Sequence, residues 1–359
     1  MGQPLNVGII GCGSIVAQYL ATFARLETVR LVAVADLMIE RATAVAAEVP
    51  GVRALSIDEL LTDPEISLVV NLTIPLAHAE VSERIIAAGK DVYSEKPLAA
   101  DGAAGAGVLR AAEDAGRWVG CAPDTVLGTG VQTARRVIED GRIGRPIAAT
   151  ATMVTPGHER WHPNPDFYYL PGGGPLLDMG PYYVSALIHL LGPVVSVTGS
   201  ASRMRHERVI GSGERAGERV PVEIDTHITG VLEHASGALS TLVMSFDAVA
   251  TRSANVEVHG ESGSMVVPDP NTFGGDVLVR SLTDADWIVQ EPSAGYIDAG
   301  RGVGIHDRAI AGDDARASGE VGYHALDVME SVLRAAATRA AVPVASTCVV
   351  PARVELQSL

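Results

Sequence analysis

The sequence predicts an α/β protein with two domains. The chain has 359 residues, which is more than a single hydrophobic core usually organises. Short apolar runs alternate with helix-like segments over the first third, as in a doubly wound parallel sheet. Later segments alternate polar and apolar residues and are separated by turns, which predicts a C-terminal α/β domain with a large, open, mostly antiparallel sheet. We place the two domains at residues 1–122 and 123–359.

The N-terminal elements follow one another as strand and helix. The strands are predicted from continuous apolar composition, which is typical of strands buried on both faces. The helices are predicted from apolar residues at helical spacing. Strands are expected at residues 6–10, 29–35, 68–72 and 91–93, and helices at 15–26, 40–49, 79–88 and 105–115, the last of them before residues 118–120.

The C-terminal elements have a different pattern. After a helix at 131–140, period-2 segments are predicted as strands at 226–232, 239–246, 256–259 and 264–267. Glycine-rich stretches at 211–217 and 294–304 are expected to be loops, and a late helix is expected at 317–334. Antiparallel sheets often leave one face open. We therefore expect a homodimer or homotetramer formed through this sheet.

Composition excludes several classes of function. The formal net charge is −16, and a chain this acidic repels nucleic acid and anionic membrane surfaces. The three cysteines have no metal-ligand or disulfide spacing, and no long apolar run is present. The scattered histidines His206, His227, His234, His259 and His306 form no HxH or HExxH pair. We expect no metal, no nucleic-acid or membrane partner, no signal peptide, and a cytoplasmic location.

Lysine is scarce in this chain. Arginine supplies 25 of the 27 basic residues, and the only lysines are Lys90 and Lys96. A GC-rich genome explains that trend, but arginine cannot release its proton at a workable pH. Lys90 follows a glycine at a predicted helix end, where a cation interacts with the helix dipole. Lys96 has no such structural explanation and is a candidate for proton transfer.

A glycine turn after the first strand predicts dinucleotide binding. Gly11 and Gly13 stand between a strand and a helix, where a Rossmann fold brings its backbone close to a pyrophosphate. Val16 occupies the place of the third glycine, so the motif is incomplete. Asp36 ends the second strand, where an acid accepts hydrogen bonds from ribose hydroxyls.

The end of the second strand also bears on cofactor choice. The Asp36 carboxylate would repel a 2′-phosphate, and Leu37 has no charge to bind one. NAD is therefore favoured, while Arg41 lies close enough in sequence to keep NADP open.

Four motifs resemble the Gfo/Idh/MocA oxidoreductases. They are the turn at residues 8–15, the 73–78 segment with Thr73, Pro75 and His78, the Glu95-Lys96-Pro97 triplet, and the run at 172–180. The resemblance implies an N-terminal NAD(P)-binding Rossmann domain and a C-terminal substrate-binding domain. It implies that the cofactor is bound by Gly11, Gly13, Ser14, Ile15, Asp36, Leu37, Thr73, Pro75, His78, Glu95, Lys96 and Pro123.

The catalytic candidates are Lys96, Asp178 and Tyr182. Lys96 follows a strand at the carboxyl edge of the sheet, and burial beside a cationic nicotinamide would lower its pKa enough to accept a hydroxyl proton. Asp178 and Tyr182 are four residues apart, so a helix beginning near Gly174 would place both on one face. Tyr182 stands at a position where members of this family often have histidine. A tyrosine here resembles the glucose–fructose oxidoreductase and dihydrodiol dehydrogenase branches of the family.

Aromatic residues concentrate in one stretch. Six of the fifteen lie between residues 161 and 183, and with nearby polar residues they are typical of a wall that binds sugars. We expect Trp161, His162, Tyr168 and Asp178 to contact substrate, and His158, Arg160 and Asp166 to belong to the same wall. Packing of a long loop is the alternative.

These features predict an NAD(P)-dependent oxidoreductase. It would move a hydride between the nicotinamide and a secondary alcohol or ketone of a sugar, sugar derivative or cyclitol, with Lys96 as acid/base. Two alternatives are a trans-dihydrodiol-type dehydrogenase, favoured by Tyr182 and the aromatic cluster, and a non-catalytic nucleotide sensor of the same fold.

Overall fold

The computed structural model describes residues 3–359 and divides into two compact units. The first unit contains the described residues up to Gly128 together with 296–323 and 357–359. The second contains residues 129–295 and 324–356. The two units therefore differ from the predicted ranges, because residues 296–323 and 357–359 group with the N-terminal unit.

A buried carboxylate explains why residues 296–323 group with the N-terminal unit. Asp124 is fully buried and accepts hydrogen bonds from the backbone N–H groups of Gly302 and Gly304, at 2.8 and 3.0 Å. These glycines lead into a helix, Val303–Ala311. The predicted loop at 294–304 is therefore wrong in part, because its last residues begin this helix and Tyr296–Ile297 pairs as a short strand with Gln357–Ser358.

The first unit is built on a six-stranded parallel sheet. Its strand order, β3-β2-β1-β4-β5-β6, confirms the predicted doubly wound sheet. The strands are β1 (Leu5–Ile10), β2 (Val29–Ala35), β3 (Arg53–Leu55), β4 (Leu68–Asn71), β5 (Asp91–Ser94) and β6 (Val119–Cys121). The helices are α1 (Val16–Phe23), α2 (Ile39–Glu48), α3 (Ile57–Thr62), α4 (His78–Ala87) and α5 (Gly102–Ala115).

The strand ends of this sheet are in register. Ala35, Ile10, Asn71, Ser94 and Cys121 are consecutive partners across five strands, and each ends its strand. The loops that follow β2, β1, β4, β5 and β6 therefore leave the sheet side by side. Nucleotides bind at this edge in doubly wound folds, near the point where the strand order reverses.

The second unit contains a nine-stranded mixed sheet. The helices are α6 (Thr129–Glu139) and α7 (Pro175–Leu191), and the unit boundary falls within a late helix, Gly319–Thr338. The strands are β7 (Pro146–Val154), β8 (Val194–Ser202), β9 (Glu207–Val209), β10 (Arg219–Pro221), β11 (His227–His234), β12 (Leu239–Ser245), β13 (Val256–Gly260), β14 (Gly263–Val267), β15 (Val277–Ser281), β16 (Ile288–Gln290) and a short strand, Val342–Pro343.

The strand pairing confirms a mostly antiparallel sheet. The order is β16-β15-β14-β13-β7-β12-β11-β8 followed by Val342–Pro343, and β9 pairs only with β10. Within this sheet the β7–β12 pair is parallel, and the other pairs are antiparallel.

The two faces of the nine-stranded sheet differ in burial. Ala149, Ala151 and Met153 of β7 are buried, and α7 packs on this part of the sheet. The alternate residues form a row across neighbouring strands, in which Thr198, Val231, Thr241 and Thr150 are consecutive partners and all exposed. One face is therefore open, as the period-2 pattern predicts.

Candidate active site

The turn after β1 requires glycine at one position and has free space at the other. Gly11 has φ of +104°, and a Cβ there would lie 2.6 Å from the Leu72 carbonyl group. A Cβ at Gly13 would meet nothing within 4 Å. This turn therefore fits a pyrophosphate, because its backbone can be approached closely. Ser14 and Ile15 connect it to α1, and Val16 is buried at the start of that helix.

The Asp36 carboxylate is fixed at the end of β2. Its two oxygens accept hydrogen bonds from the backbone N–H groups of Cys12, at 2.8 Å, and Met38, at 2.9 Å. The side chain is half-buried, whereas Leu37 is 92% exposed. The aspartate therefore holds the glycine turn and presents an oriented acceptor that fits a ribose diol.

Asn71 and His78 organise the loop after β4. The side-chain oxygen Oδ1 of the buried Asn71 accepts hydrogen bonds from the Thr73 hydroxyl, at 2.6 Å, and from the Thr73 backbone N–H, at 3.2 Å. His78 is buried, with Nε2 3.0 Å from the Thr73 carbonyl oxygen and Nδ1 2.6 Å from that of Pro97. His78 therefore joins the loops that follow β4 and β5, and burial lowers its pKa. Pro75 is exposed at the start of a short 3₁₀ turn.

Glu95 anchors the segment that carries Lys96. It is 8% exposed, and its two carboxylate oxygens accept hydrogen bonds from the Tyr19 hydroxyl and from the Lys96 backbone N–H, both at 2.9 Å. Burial and the charge of Glu95 raise the pKa of Tyr19 well above its usual range. Lys96 is half-buried, one residue beyond Glu95 at the in-register edge.

A second buried acid lies after β6. Pro123 is buried there and is followed by Asp124, whose pKa burial raises. The hydroxyl of Tyr93 is buried as well. Burial and the charges of Asp124 and Glu95 raise its pKa. Tyr19, Asn71 and Asp124 are thus contributors to this edge that the sequence did not indicate.

In the second unit, Asp178 lies in the first turn of α7. The helix begins as predicted, with Gly174 at φ of +96° before it and Pro175 at its first position. The Asp178 backbone N–H donates to the Gly174 carbonyl oxygen at 3.0 Å. Tyr182 follows one turn later and is 5% exposed, and the helix continues through Pro181. The two candidates therefore share one helix face.

The glycine run before α7 packs against the aromatic segment. A Cβ at Gly173 would lie 2.3 Å from the Phe167 carbonyl oxygen, and the Gly174 N–H donates to the Tyr168 carbonyl oxygen at 2.8 Å. Only glycine allows the backbone of this run to approach the aromatic segment so closely.

The predicted aromatic wall forms one cluster. The ring of His162 lies 5.4 Å from Trp161, 5.4 Å from Phe167 and 5.5 Å from Tyr168. Trp161 and Phe167 are more than half exposed. His162 Nδ1 accepts the Asn164 N–H at 3.1 Å, and burial lowers the His162 pKa. The structure therefore brings Trp161, His162 and Tyr168 together, with aromatic faces open to solvent.

A buried ionic network holds the base of this wall. Arg208 is 3% exposed and donates to the carboxylates of Glu159, at 3.2 Å, and Asp247, at 2.6 Å. Its guanidinium lies 5.3 Å from the centre of the Tyr169 ring, and the Tyr169 hydroxyl donates to Glu159. These partners are distant in sequence, which is why periodicity did not indicate the network.

Two further wall candidates are also located. Asp166 accepts two hydrogen bonds from the Arg215 guanidinium, at 2.6 and 3.1 Å, which lower its pKa. His158 lies beside Asp178, with Nε2 3.2 Å from Oδ2.

Within residues 3–359 no group of three or more His, Cys, Asp or Glu could hold a metal ion, and no helix is long and apolar enough to cross a membrane.

Comparisons with known proteins agree with this geometry. Residues 5–122 match the family model described as "Oxidoreductase family, NAD-binding Rossmann fold", and residues 131–266 match the GFO/IDH/MocA C-terminal domain. The 1,5-anhydro-D-fructose reductase of Ensifer adhaerens is 28% identical over 343 residues, covering 92% of this chain and 96% of the relative. The levoglucosan dehydrogenase of Pseudarthrobacter phenanthrenivorans is 26% identical and covers 74% of this chain and 73% of the relative.

Solved structures share the whole fold. An NAD-binding oxidoreductase from Klebsiella pneumoniae has a TM-score of 0.81 at 25% identity, covering 96% of this chain and all of that one. Levoglucosan dehydrogenase in complex with NADH has a TM-score of 0.80 at 21% identity, covering 96% of this chain and all of that one. With a glycine turn and an oriented acid that fit NAD, and with both domains matched, the chain belongs to the Gfo/Idh/MocA family of NAD-dependent oxidoreductases that act on CH–OH groups.

Proposed function

We propose that this enzyme interconverts a secondary alcohol and a ketone on a sugar, sugar derivative or cyclitol. The observation that carries the proposal is the register of the strand ends, which aligns the loop bearing Lys96 with those bearing Gly11 and Asp36. Relatives that act on 1,5-anhydro-D-fructose, levoglucosan and inositol support this substrate class.

Lys96 is the proton-transfer group of this proposal. When bound, NAD supplies the carbon that accepts the substrate's C–H hydrogen with both of its electrons. The neutral Lys96 amine accepts the hydroxyl proton as the O–H bond breaks, and the ammonium returns it in the reverse reaction. Glu95 fixes the backbone of Lys96, since one of its carboxylate oxygens accepts a hydrogen bond from the Lys96 backbone N–H.

Asp178 and Tyr182 are the other groups that act on the substrate in this proposal. The Asp178 carboxylate accepts a hydrogen bond from a substrate hydroxyl, and Tyr182 donates or relays a proton. Trp161, His162 and Tyr168 provide flat apolar faces with polar edges, which suit the C–H and O–H groups of a sugar ring.

The sequence-predicted assembly and location are also part of the proposal. The exposed row through Thr198, Val231 and Thr241 supports a homo-oligomer formed through the open face of the nine-stranded sheet. The three cysteines are buried and unbridged, which supports a reducing, cytoplasmic location.

A substrate panel tests the reaction. Absorbance of the reduced nicotinamide would be followed with NAD plus levoglucosan, myo-inositol or a trans-dihydrodiol, and with NADH plus 1,5-anhydro-D-fructose. Turnover of a sugar or cyclitol is the expected result. Turnover of the dihydrodiol alone would favour the aromatic-diol alternative. NADH binding without turnover of any compound would favour the nucleotide sensor.

Two variants of one residue test the proton transfer. Lys96→Arg keeps a positive charge that cannot be released, and Lys96→Met removes the charge while keeping similar length. Both should lower kcat by at least about 10²-fold while the NADH dissociation constant stays within a few-fold of wild type. Retention of more than about a tenth of the activity by Lys96→Arg would contradict the proton-transfer role.

A further inference from the structure

His158 forms a close pair with Asp178 inside the second unit. Its Nε2 atom lies 3.2 Å from Asp178 Oδ2. The His158 side chain is 10% exposed, whereas the Asp178 side chain is 21% exposed. The pair therefore has a buried imidazole on one side and a carboxylate that reaches solvent on the other.

The surroundings of the ring assign its hydrogens. Nδ1 is buried, and among residues 3–359 it has no hydrogen-bond partner. A neutral imidazole carries one N–H, and an ionised carboxylate can only accept. A bare Nε2 would place two acceptors 3.2 Å apart, so the N–H belongs on Nε2 and donates to Asp178.

Aromatic side chains hold this donor in place. The His158 ring centre lies 4.4 Å from that of Phe246, 4.7 Å from Tyr168 and 5.2 Å from Trp161. Contacts from a strand end and from the aromatic segment leave the imidazole little freedom to turn. The direction of its N–H is therefore set before any substrate arrives, which is the condition for preorganisation.

We propose that His158 is a positioning residue for Asp178. Its N–H fixes the rotation of the carboxylate on the first turn of α7, so that the carboxylate meets a substrate hydroxyl in one orientation. This inference rests on the proposed role of Asp178 as the acceptor for substrate, and it extends that role to a residue that does not itself act on the reacting atoms.

Two substitutions separate the hydrogen bond from packing. His158→Gln places an amide N–H near the position of Nε2, whereas His158→Leu fills the aromatic surroundings without a donor. We expect His158→Leu to lower kcat about 10- to 100-fold with the KM for NAD unchanged, and His158→Gln to restore it to within about threefold of wild type. Thermal unfolding of both variants would confirm that they fold. Equal activity of His158→Leu and wild type would overturn the proposal.

A double-mutant cycle shows whether His158 acts through Asp178. In an Asp178→Asn background, His158→Leu should change kcat by less than about twofold, because the carboxylate it positions is gone. Independent, multiplicative losses would overturn the positioning role. If Asp178→Asn alone retains full activity on the panel substrate, the proposed function of Asp178 fails instead, so the two failures are distinguishable.

A second readout needs no substrate. In protein labelled with ¹⁵N at histidine, the His158 signal is the one absent from His158→Gln. Its proton should be on Nε2 and should shift or exchange faster in Asp178→Asn. A proton on Nδ1, or a signal unchanged by Asp178→Asn, would overturn the assignment.

Discussion

Replacing Arg208 with methionine should destabilise the second unit strongly. Methionine keeps much of the length of the side chain but removes the guanidinium, which donates to two carboxylates and to the backbone oxygens of Pro156 and Phe246. The side chains of Glu159 and Asp247 are only 5% and 18% exposed. Both would therefore remain as poorly hydrated charges without their cation.

The expected loss is about 3 kcal/mol in the free energy of unfolding. Removing one partner of a buried ion pair typically costs about 3–5 kcal/mol. The lower end applies because Asp247 can be partly rehydrated and keeps the hydrogen bond from Thr226, while Glu159 keeps that from Tyr169.

Urea unfolding of the full chain, followed by circular dichroism, measures this loss. The matched control is Arg205→Met, because the Arg205 side chain is 53% exposed and lies 4.0 Å from the same Asp247 carboxylate. Exposed pairs contribute about 0–1 kcal/mol, so this control should unfold close to wild type. A loss below about 1 kcal/mol for Arg208→Met, or equal losses for the two variants, would refute the reasoning.

Three further predictions follow from the same structure. Gly13→Ala should leave the urea midpoint of unfolding unchanged and weaken NADH binding measured by fluorescence. Gly11→Ala should lower both the unfolding midpoint and the affinity for NADH, because its Cβ meets the Leu72 carbonyl group. Equal unfolding midpoints for the two variants would contradict this. Burial and the charge of Arg135 lower the pKa of His189 to about 3. Below a pH of about 6.5, His189 therefore becomes protonated in the unfolded chain but stays neutral in the folded chain. Stability should fall by about 2 kcal/mol between pH 7 and 5 from this group, and His189→Leu should flatten the urea-midpoint profile over that range; an unchanged slope would contradict it. Val231→Lys, on the open sheet face, should dissociate the oligomer in analytical ultracentrifugation, and an unchanged sedimentation coefficient would argue against that interface.

Elements with strong apolar composition could be predicted from the sequence. The strands β1, β2 and β4 are mainly apolar and β5 has an apolar centre, and the structure places these strands as expected. The short elements β3 and α3 are not among the predicted elements, although Ser56 and Glu59 form a capping box at the start of α3. The start of the helix Val303–Ala311 falls in the predicted loop, because Gly300, Gly302 and Gly304 are typical of loops.

The position of a candidate site residue could be predicted where it depends on local sequence. Gly11, Asp36 and Lys96 follow strands, and strand ends converge in a parallel sheet. The supports of that site were not predictable, because Asn71 and Tyr19 are known as partners only once the chain is folded. Arg208 is the clearest case, since its acidic partners lie 49 and 39 residues away in the chain.

The two lysines illustrate why a rare residue type can be retained for different physical reasons. Lys90 is 6% exposed, and its ammonium donates to the carbonyl oxygens of Asp63, at 2.6 Å, and Ile66, at 2.8 Å. A compact ammonium suits two converging carbonyl groups, whereas a planar guanidinium presents its donors in a fixed fork. Burial lowers the Lys90 pKa, whereas the two carbonyl oxygens form stronger hydrogen bonds with the charged ammonium. Lys96 is at a strand end of the cofactor edge, where release of the proton would be the function. We therefore expect arginine to be a poor substitute at both positions, by its shape at Lys90 and by its permanent charge at Lys96.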